Sequence, residues 1–257
     1  MNFEFHAQTH TGLVRKNNED AVAVDCVNQL AVLADGMGGY NAGEVASALA
    51  TECICTELGR WLAQMGDTAS DLEFQQAMTA CVDKANLIIF NEANNNLPCA
   101  GMGTTLVMGV FQGSRGFIGH VGDSRCYRLR GGSLQLLTRD HSLLQEQIDA
   151  GLISPAQAQY APQRNLITRA LGIEDAVQLE VREFEVQDDD LYLFCSDGLS
   201  DMLTADSMTS ILLDVDSLCD KATALISEAN ACGGRDNISV ILVQREMKSL
   251  RKKVSSH

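Results

Sequence analysis

The chain has 257 residues, of which 46% are hydrophobic and 21% charged, and its formal charge is -15. That length allows one full-sized domain with a substantial core. The acidity excludes a nucleic-acid binder, which needs a basic footprint against phosphate, and no stretch approaches the ~18 apolar residues of a membrane span.

The N-terminal segment alternates Phe3, Phe5 and Ala7 with polar neighbours, which predicts a half-buried strand over 2–10. Strands follow at 20–26 and 29–35, joined as a hairpin across Val27-Asn28. Apolar residues at helical spacing predict helices from Gly43 to about Leu62 and from Asp71 to Asn94. Short strands at 104–111, 115–121, 124–130 and 133–137 come next, separated by Gly-containing turns. Residues 141–172 break the rhythm with short helical pieces and loops. Strands return at 177–186 and 190–196, then helices at 205–213 and 217–231, and a last strand at 238–243 that is apolar on both faces. Blocks of strands with paired helices between them predict an α+β fold.

Nine cysteines, an odd count without a CxxC pair, do not form a disulfide framework. Cys53, Cys55, Cys81 and Cys195 lie in apolar stretches, where a thiol is a small hydrophobe, and a reducing cytosol suits them. Met1 to His6 has neither a basic n-region nor a long apolar h-region, so a cytoplasmic location is expected. Arg245, Lys248, Arg251, Lys252 and Lys253 make the C-terminus basic, and 247–257 reads as a disordered tail.

Chemistry concentrates in acidic motifs. Asp35-Gly36 follows the apolar run Leu30 to Ala34, and a carboxylate with a neighbouring carbonyl can offer a hard cation two oxygens. Asp197-Gly198 and Asp236-Asn237 repeat the signal downstream. A lone Asp-Gly is an ordinary turn pair, but three such sites brought together would make an all-oxygen centre for Mg2+ or Mn2+. The histidines show no ligand spacing, and His120, inside an apolar strand, reads as a core residue. No cysteine is followed six positions later by Arg, as a cysteine-nucleophile phosphatase would need. Residues 211–218 imitate an aspartyl-nucleophile motif but carry Leu218 where it wants Thr or Val. No GxxxxGK[ST] loop is present.

Six motifs run in order: Arg15-Lys16-Asn17-Asn18-Glu19-Asp20-Ala21, Ala34-Asp35-Gly36-Met37-Gly38-Gly39, Gly101-Met102-Gly103-Thr104-Thr105, Gly119-His120-Val121-Gly122-Asp123-Ser124-Arg125, Ser196-Asp197-Gly198-Leu199 and Gly234-Arg235-Asp236-Asn237-Ile238-Ser239. In this order they closely resemble the metal-dependent serine/threonine phosphatases of the type 2C (PPM) family, bacterial type, over residues 5 to 244. The resemblance implies a four-layer α-β-β-α sandwich of two antiparallel sheets flanked by helices. It implies a single phosphatase domain over 1–246, with a flap at about 141–172 that includes His141, Asn165 and Thr168.

The resemblance also implies the site. Asp35 would bridge two Mn2+ or Mg2+ ions, with the Gly36 carbonyl on the first and Asp197 and Asp236 on the second. Glu19 and Asp20 would act through water, Asp123 would help hold a third ion, and Arg15 would grip the substrate phosphate. Catalysis would then rest on Asp35 and Arg15, with a hydroxide between the ions attacking phosphorus. Many eukaryotic relatives carry His where this chain has Met37, which cannot donate a proton. The implied activity is hydrolysis of phosphoserine and phosphothreonine in proteins, by a monomer opposing a bacterial Ser/Thr kinase. The alternatives are a non-catalytic phosphoprotein-binding pseudophosphatase and a dedicated partner-switching phosphatase acting on an anti-anti-sigma factor.

Overall fold

The structure, a computed structural model, describes residues 3–38, 42–66, 68–154, 157 and 166–245. Asn165, much of the expected flap and the basic tail lie outside the described residues.

Strands β1 (Phe3–His10), β2 (Asp20–Asp25) and β3 (Leu30–Met37) lead into helices α1 (Gly43–Met65) and α2 (Asp71–Asn95). Then come β4 (Gly103–Thr104), β5 (Leu106–Gln112), β6 (Arg115–Val121), β7 (Arg125–Arg130) and β8 (Ser133–Leu136). Helix α3 (Leu143–Asp149) precedes β9 (Glu180–Glu185) and β10 (Leu191–Cys195), and α4 (Asp197–Ser200), α5 (Ala205–Asp214), α6 (Leu218–Ala231) and β11 (Ile238–Arg245) follow.

All strand pairings are antiparallel and make two sheets, ordered β1-β11-β10-β7-β8 and β2-β3-β5-β6-β9, with β4 added beside β3. Three apolar layers hold them together. Leu30, Val32 and Ala34 of β3 point one way, into a core shared with Ile54 and Leu58 of α1 and Phe74 and Met78 of α2. The alternate residues Ala31 and Leu33 point the other way, against Phe111, Tyr192, Phe194 and Ile241 between the sheets. The third layer sets Leu193, Val240 and Leu242 against Met208, Leu212, Ala222 and Leu225 of α5 and α6. A period of two with both faces apolar is what a strand buried between a sheet and a helix layer requires. The result is the expected α-β-β-α sandwich.

Local departures from the sequence reading have physical causes. The β2–β3 connection is Cys26–Gln29, wider than a two-residue turn at Val27-Asn28, because Asp25 Oδ1 accepts bonds from Val27 N and Asn28 N, both 3.0 Å, and organises the loop. Gln29 takes φ 57 to close it. The predicted strand 104–111 is split at Thr105, and β9 begins at Glu180 rather than 177. Helix α2 begins with a reciprocal capping box, in which Ser70 N donates to Glu73 Oε2 at 2.8 Å.

Phe111 is the hub of the inter-sheet layer, with ring centroids 5.1 Å from Phe3 and 5.0 Å from Tyr192. It is wholly buried. Phe111→Ala should cost ~3–5 kcal/mol, as large-to-small changes in tight cores do. Guanidinium unfolding will check this, and a loss under about 1 kcal/mol would show that the two sheets are not closed by this residue.

Candidate metal centre

The sandwich brings the acidic motifs to one end. Asp20 on β2 lies directly opposite Asp35 on β3 in the antiparallel register. Asp123 sits in the turn after β6, Asp197 opens the short helix α4 after β10, and Asp236 lies two residues before β11. Asp35 feels the charges of Asp20, Asp197, Asp123 and Asp236, and Asp197 in turn feels Asp123, Asp236, Asp201 and Asp20. Five carboxylates from five chain segments therefore share one electrostatic neighbourhood.

Burial first and these like charges second hold the Asp35 and Asp197 carboxyls well above the usual carboxylate range. Asp20 is pushed up to about 6, chiefly by burial, against the lowering effect of bonds from Ser239 and Ser196. Asp123 also rises to about 6, through burial and then Asp140.

Asp20 Oδ1 is buried without any hydrogen-bond partner. Its other oxygen accepts from Ser196 Oγ at 2.8 Å. An orphaned carboxylate oxygen costs free energy unless something positive meets it. With all-oxygen donors around it, the centre fits a hard divalent cation or the water such a cation holds.

The backbone makes the cradle rigid. Gly36 N donates to Glu19 O at 3.0 Å, and a β-carbon on Gly36 would stand 2.0 Å from Gly43 O. Only glycine lets β3 pass so close to the start of α1. Asp35 is held at both backbone ends: its N–H donates to Thr105 Oγ1 at 3.1 Å, and its carbonyl accepts from Thr105 N at 2.9 Å and Thr104 Oγ1 at 2.9 Å. These bonds explain the split of the predicted strand at Thr105.

Asn237, inside its acidic motif, is a keystone whose role no local pattern marks. Its Nδ2 donates to Thr11 O at 3.0 Å and to Asn17 O at 2.9 Å, and its Oδ1 accepts from Glu19 N at 2.8 Å. It thereby fixes the loop carrying Arg15 and Glu19 onto the segment carrying Asp236. Ser196, which bonds Asp20, was equally illegible because its partner is 176 residues away.

Arg15 Nη2 donates to Asp236 Oδ2 at 2.7 Å while half its side chain stays exposed. This hydrogen bond is the leading cause that raises the Arg15 guanidinium further. A cavity of about 910 Å3, lined by Met37, Thr79, Asp83, Ile167, Thr168 and Arg169 among others, reaches the end of β3 at Met37, and none of the five carboxylates lines it. Of the expected flap residues, Thr168 lines this cavity, whereas His141 is not part of its lining and is bonded to Gly122.

His120, His141 and Glu180 place ligand-type atoms within 4.8 Å of one another. The two imidazoles are stacked with planes 15° apart, so their in-plane lone pairs run side by side rather than converging. His120 Nε2 bonds Arg139 O at 2.8 Å, and Arg169 Nη1 lies 3.3 Å from His141 Nε2, where an ion would meet a guanidinium. Hydrogen bonding accounts for this trio.

Residues 10–230 match the family profile described as Protein phosphatase 2C. The chain belongs to that family. It is 38% identical to the serine/threonine phosphatase Stp of Listeria monocytogenes over 250 residues, covering 96% of this chain and 97% of that protein. It is 38% identical to PstP of Mycobacterium tuberculosis, covering 93% of this chain and 44% of that longer protein. A crystal structure of M. tuberculosis PstP superposes with a TM-score of 0.87 at 36% identity, covering 96% of this chain and 100% of that one. A structure of the PstP catalytic domain in complex with two manganese ions matches with a TM-score of 0.81 at 35% identity, covering 95% and 98%.

Without a cation, Asp35 must either take up a proton or stand unneutralised, and both cost stability. Asp35→Asn should therefore raise the melting temperature of the metal-free protein, by about 2–4 °C for each kcal/mol relieved. Calorimetry in excess chelator will measure it. A lower melting point than wild type would show that the Asp35 carboxylate is stabilising by itself.

Proposed function

We propose that this chain hydrolyses phosphoserine and phosphothreonine in proteins, using Mn2+ or Mg2+, and opposes a bacterial Ser/Thr kinase. The observation that carries this reading is the gathering of four acidic side chains about buried Asp35, one of them Asp20 with an orphaned oxygen, in a protein phosphatase 2C chain. The relatives' names, Ser/Thr phosphatases from several bacteria, support the substrate class.

Each residue has a role in this proposal. Asp35 and the Gly36 carbonyl would hold one ion, Asp35, Asp197 and Asp236 a second, and Asp123 would help hold a weaker third. Glu19 and Asp20 would orient ordered water. When bound, the ions supply Lewis-acid activation of water and neutralise phosphate charge. Arg15 would turn from Asp236 to the phosphate oxygens, gripping two of them with its planar fork. Met37, on the cavity wall, has no proton to give a departing alkoxide. The domain would span 1–246 and work as a monomer. Its free cysteines, with Cys26, Cys219 and Cys232 exposed, support a reducing cytoplasm. No helix among the described residues is long and apolar enough to cross a membrane. Nothing in the site favours a phosphoprotein binder without turnover.

Phosphate release from a phosphothreonine peptide should require added Mn2+ or Mg2+ and stop with EDTA. Undiminished release after exhaustive chelation, verified by metal analysis, would remove the metal-dependent reading.

Arg15→Ala should raise KM for the phosphopeptide about tenfold, the value of a lost charge-assisted bond, and Arg15→Lys should recover only part of it. Mn2+ binding, followed by calorimetry, should not weaken, because Arg15 repels a cation beside Asp236. Weakened Mn2+ binding with an unchanged KM would assign Arg15 to building the cradle instead.

A further inference from the structure

His141 makes more contacts across chain segments than its place in a loop requires. Its backbone N–H donates to Gly122 O at 2.9 Å, and its Nδ1 accepts from Gly122 N at 3.1 Å. Its carbonyl accepts from Thr168 N at 2.9 Å. One residue thus grips both sides of Gly122 and the returning arm of the flap. Because Gly122 N–H must donate, Nδ1 carries the lone pair and Nε2 carries the proton, so Glu180 Oε2 at 3.4 Å is its acceptor and Arg169 Nη1 at 3.3 Å is a close neighbour that does not donate to it. The ring is buried and stacked on His120 at 4.8 Å.

Gly122 is the residue before Asp123. It takes φ +101, and a β-carbon there would stand 2.7 Å from Thr105 Cγ2, so the turn is pressed against Thr105. Ser124, on the other side of Asp123, shares a 2.7 Å hydroxyl bond with Thr105 Oγ1. Thr105 holds both backbone ends of Asp35. The flap has a second attachment: Thr104 N donates to Leu171 O at 3.1 Å and Leu171 N to Thr104 O at 2.9 Å, while Thr104 Oγ1 donates to the Asp35 carbonyl. The arm bearing Thr168 and Leu171 is therefore fastened at two points to the backbone that presents Asp123 and Asp35.

We infer that His141 is a positioning residue: its neutral imidazole clamps the Gly122-Asp123 turn to the flap and so sets where the Asp123 carboxylate stands. The part that concerns metal rests on the proposed role of Asp123 toward the weakest-held ion. The clamp itself does not. Loss of the imidazole removes the side-chain half of the grip on Gly122, while Asp35 keeps its bonds to Thr104 and Thr105 and Asp236 its bond to Arg15.

Three substitutions separate the clamp from general packing. His141→Asn places an amide oxygen close to where Nδ1 sits. His141→Gln carries it one bond further out, and His141→Leu removes it while keeping an apolar side chain. Amide hydrogen exchange of Gly122, read by NMR on the full chain in excess EDTA, reports the clamp without metal or turnover. Exchange should speed up about tenfold in His141→Leu and His141→Gln, the value of one hydrogen bond, and stay within about threefold of wild type in His141→Asn. Binding of Mn2+ alone, titrated by the EPR signal of the free ion, should show the weakest class loosened about tenfold in the same two variants. That class should survive in His141→Asn, and the tighter ions should be unchanged in all three.

Equal Gly122 exchange in wild type and His141→Leu would overturn the clamp. Equal acceleration in Asn, Gln and Leu would assign His141 to packing. Should His141→Leu fail to fold, the Asn and Gln pair carries the comparison. A changed Gly122 with unchanged Mn2+ binding would overturn the link to Asp123, whereas absence of phosphatase activity in wild type would strike only the proposed function.

Discussion

The structure turns on the enforced proximity of like charges. Asp20, Asp35, Asp123, Asp197 and Asp236 come from different segments, and no lysine lies among the causes that shift them. Arg15 is the cation that meets Asp236. Isolated buried carboxylates relieve such a situation by taking protons, which is the direction in which Asp35 and Asp197 move. A site that keeps these groups together must draw the energy from elsewhere in the fold, and a divalent cation returns part of it on binding.

The source of that energy is the sandwich. Three apolar layers fix the strand positions, and the strand ends then carry the acids without needing favourable contacts of their own. Apart from the ion pair of Arg15 with Asp236, the supports at the centre are neutral hydrogen bonds, most of them between a side chain and the backbone. Thr104 and Thr105 hold Asp35, Asn237 holds Glu19, and Ser196 links Asp20 to the neighbourhood of Ser239. Neutral supports on the Asp35 backbone leave its carboxylate oxygens clear of any cationic side chain, whereas Asp236 shares one oxygen with Arg15. Gly36 and Gly198 serve the same end, since a β-carbon on Gly198 would stand 2.0 Å from Asn237 O.

Much of this was legible in the sequence for a simple reason. The apolar run Leu30 to Ala34 and the stripes of α1 and α2 record burial, and burial is written locally in residue periodicity. The acidic motifs were legible as a set through their order. What periodicity could not convey was non-local hydrogen bonding. Strand β3 runs on through Met37 because Gly36 pairs with Thr104, whereas Asp35 was expected at the strand's end. The break at Thr105 and the loop bound by Asp25 arise from side-chain bonds to backbone that no apolar pattern marks. Helix α4 has four residues, too few for any helical period to register. The position of Arg15 in its motif suits a phosphate grip, and its bond to Asp236 exists only because the fold sets two distant segments side by side.

Two groupings in this chain can be set against each other as homes for a metal: the carboxylates at the sandwich end, and the His120, His141 and Glu180 trio. The proposal puts the ions on the former, because its five carboxylates share one electrostatic neighbourhood and Asp20 Oδ1 has no partner, while the trio's nitrogens are already bonded or face Arg169. Anomalous diffraction from crystals grown with Mn2+ decides between them most directly. The account predicts two strong peaks sharing Asp35 and flanked by Asp197 and Asp236, with no density at the histidines. A dominant peak on His120, His141 and Glu180, with the Asp35 region empty, would contradict it.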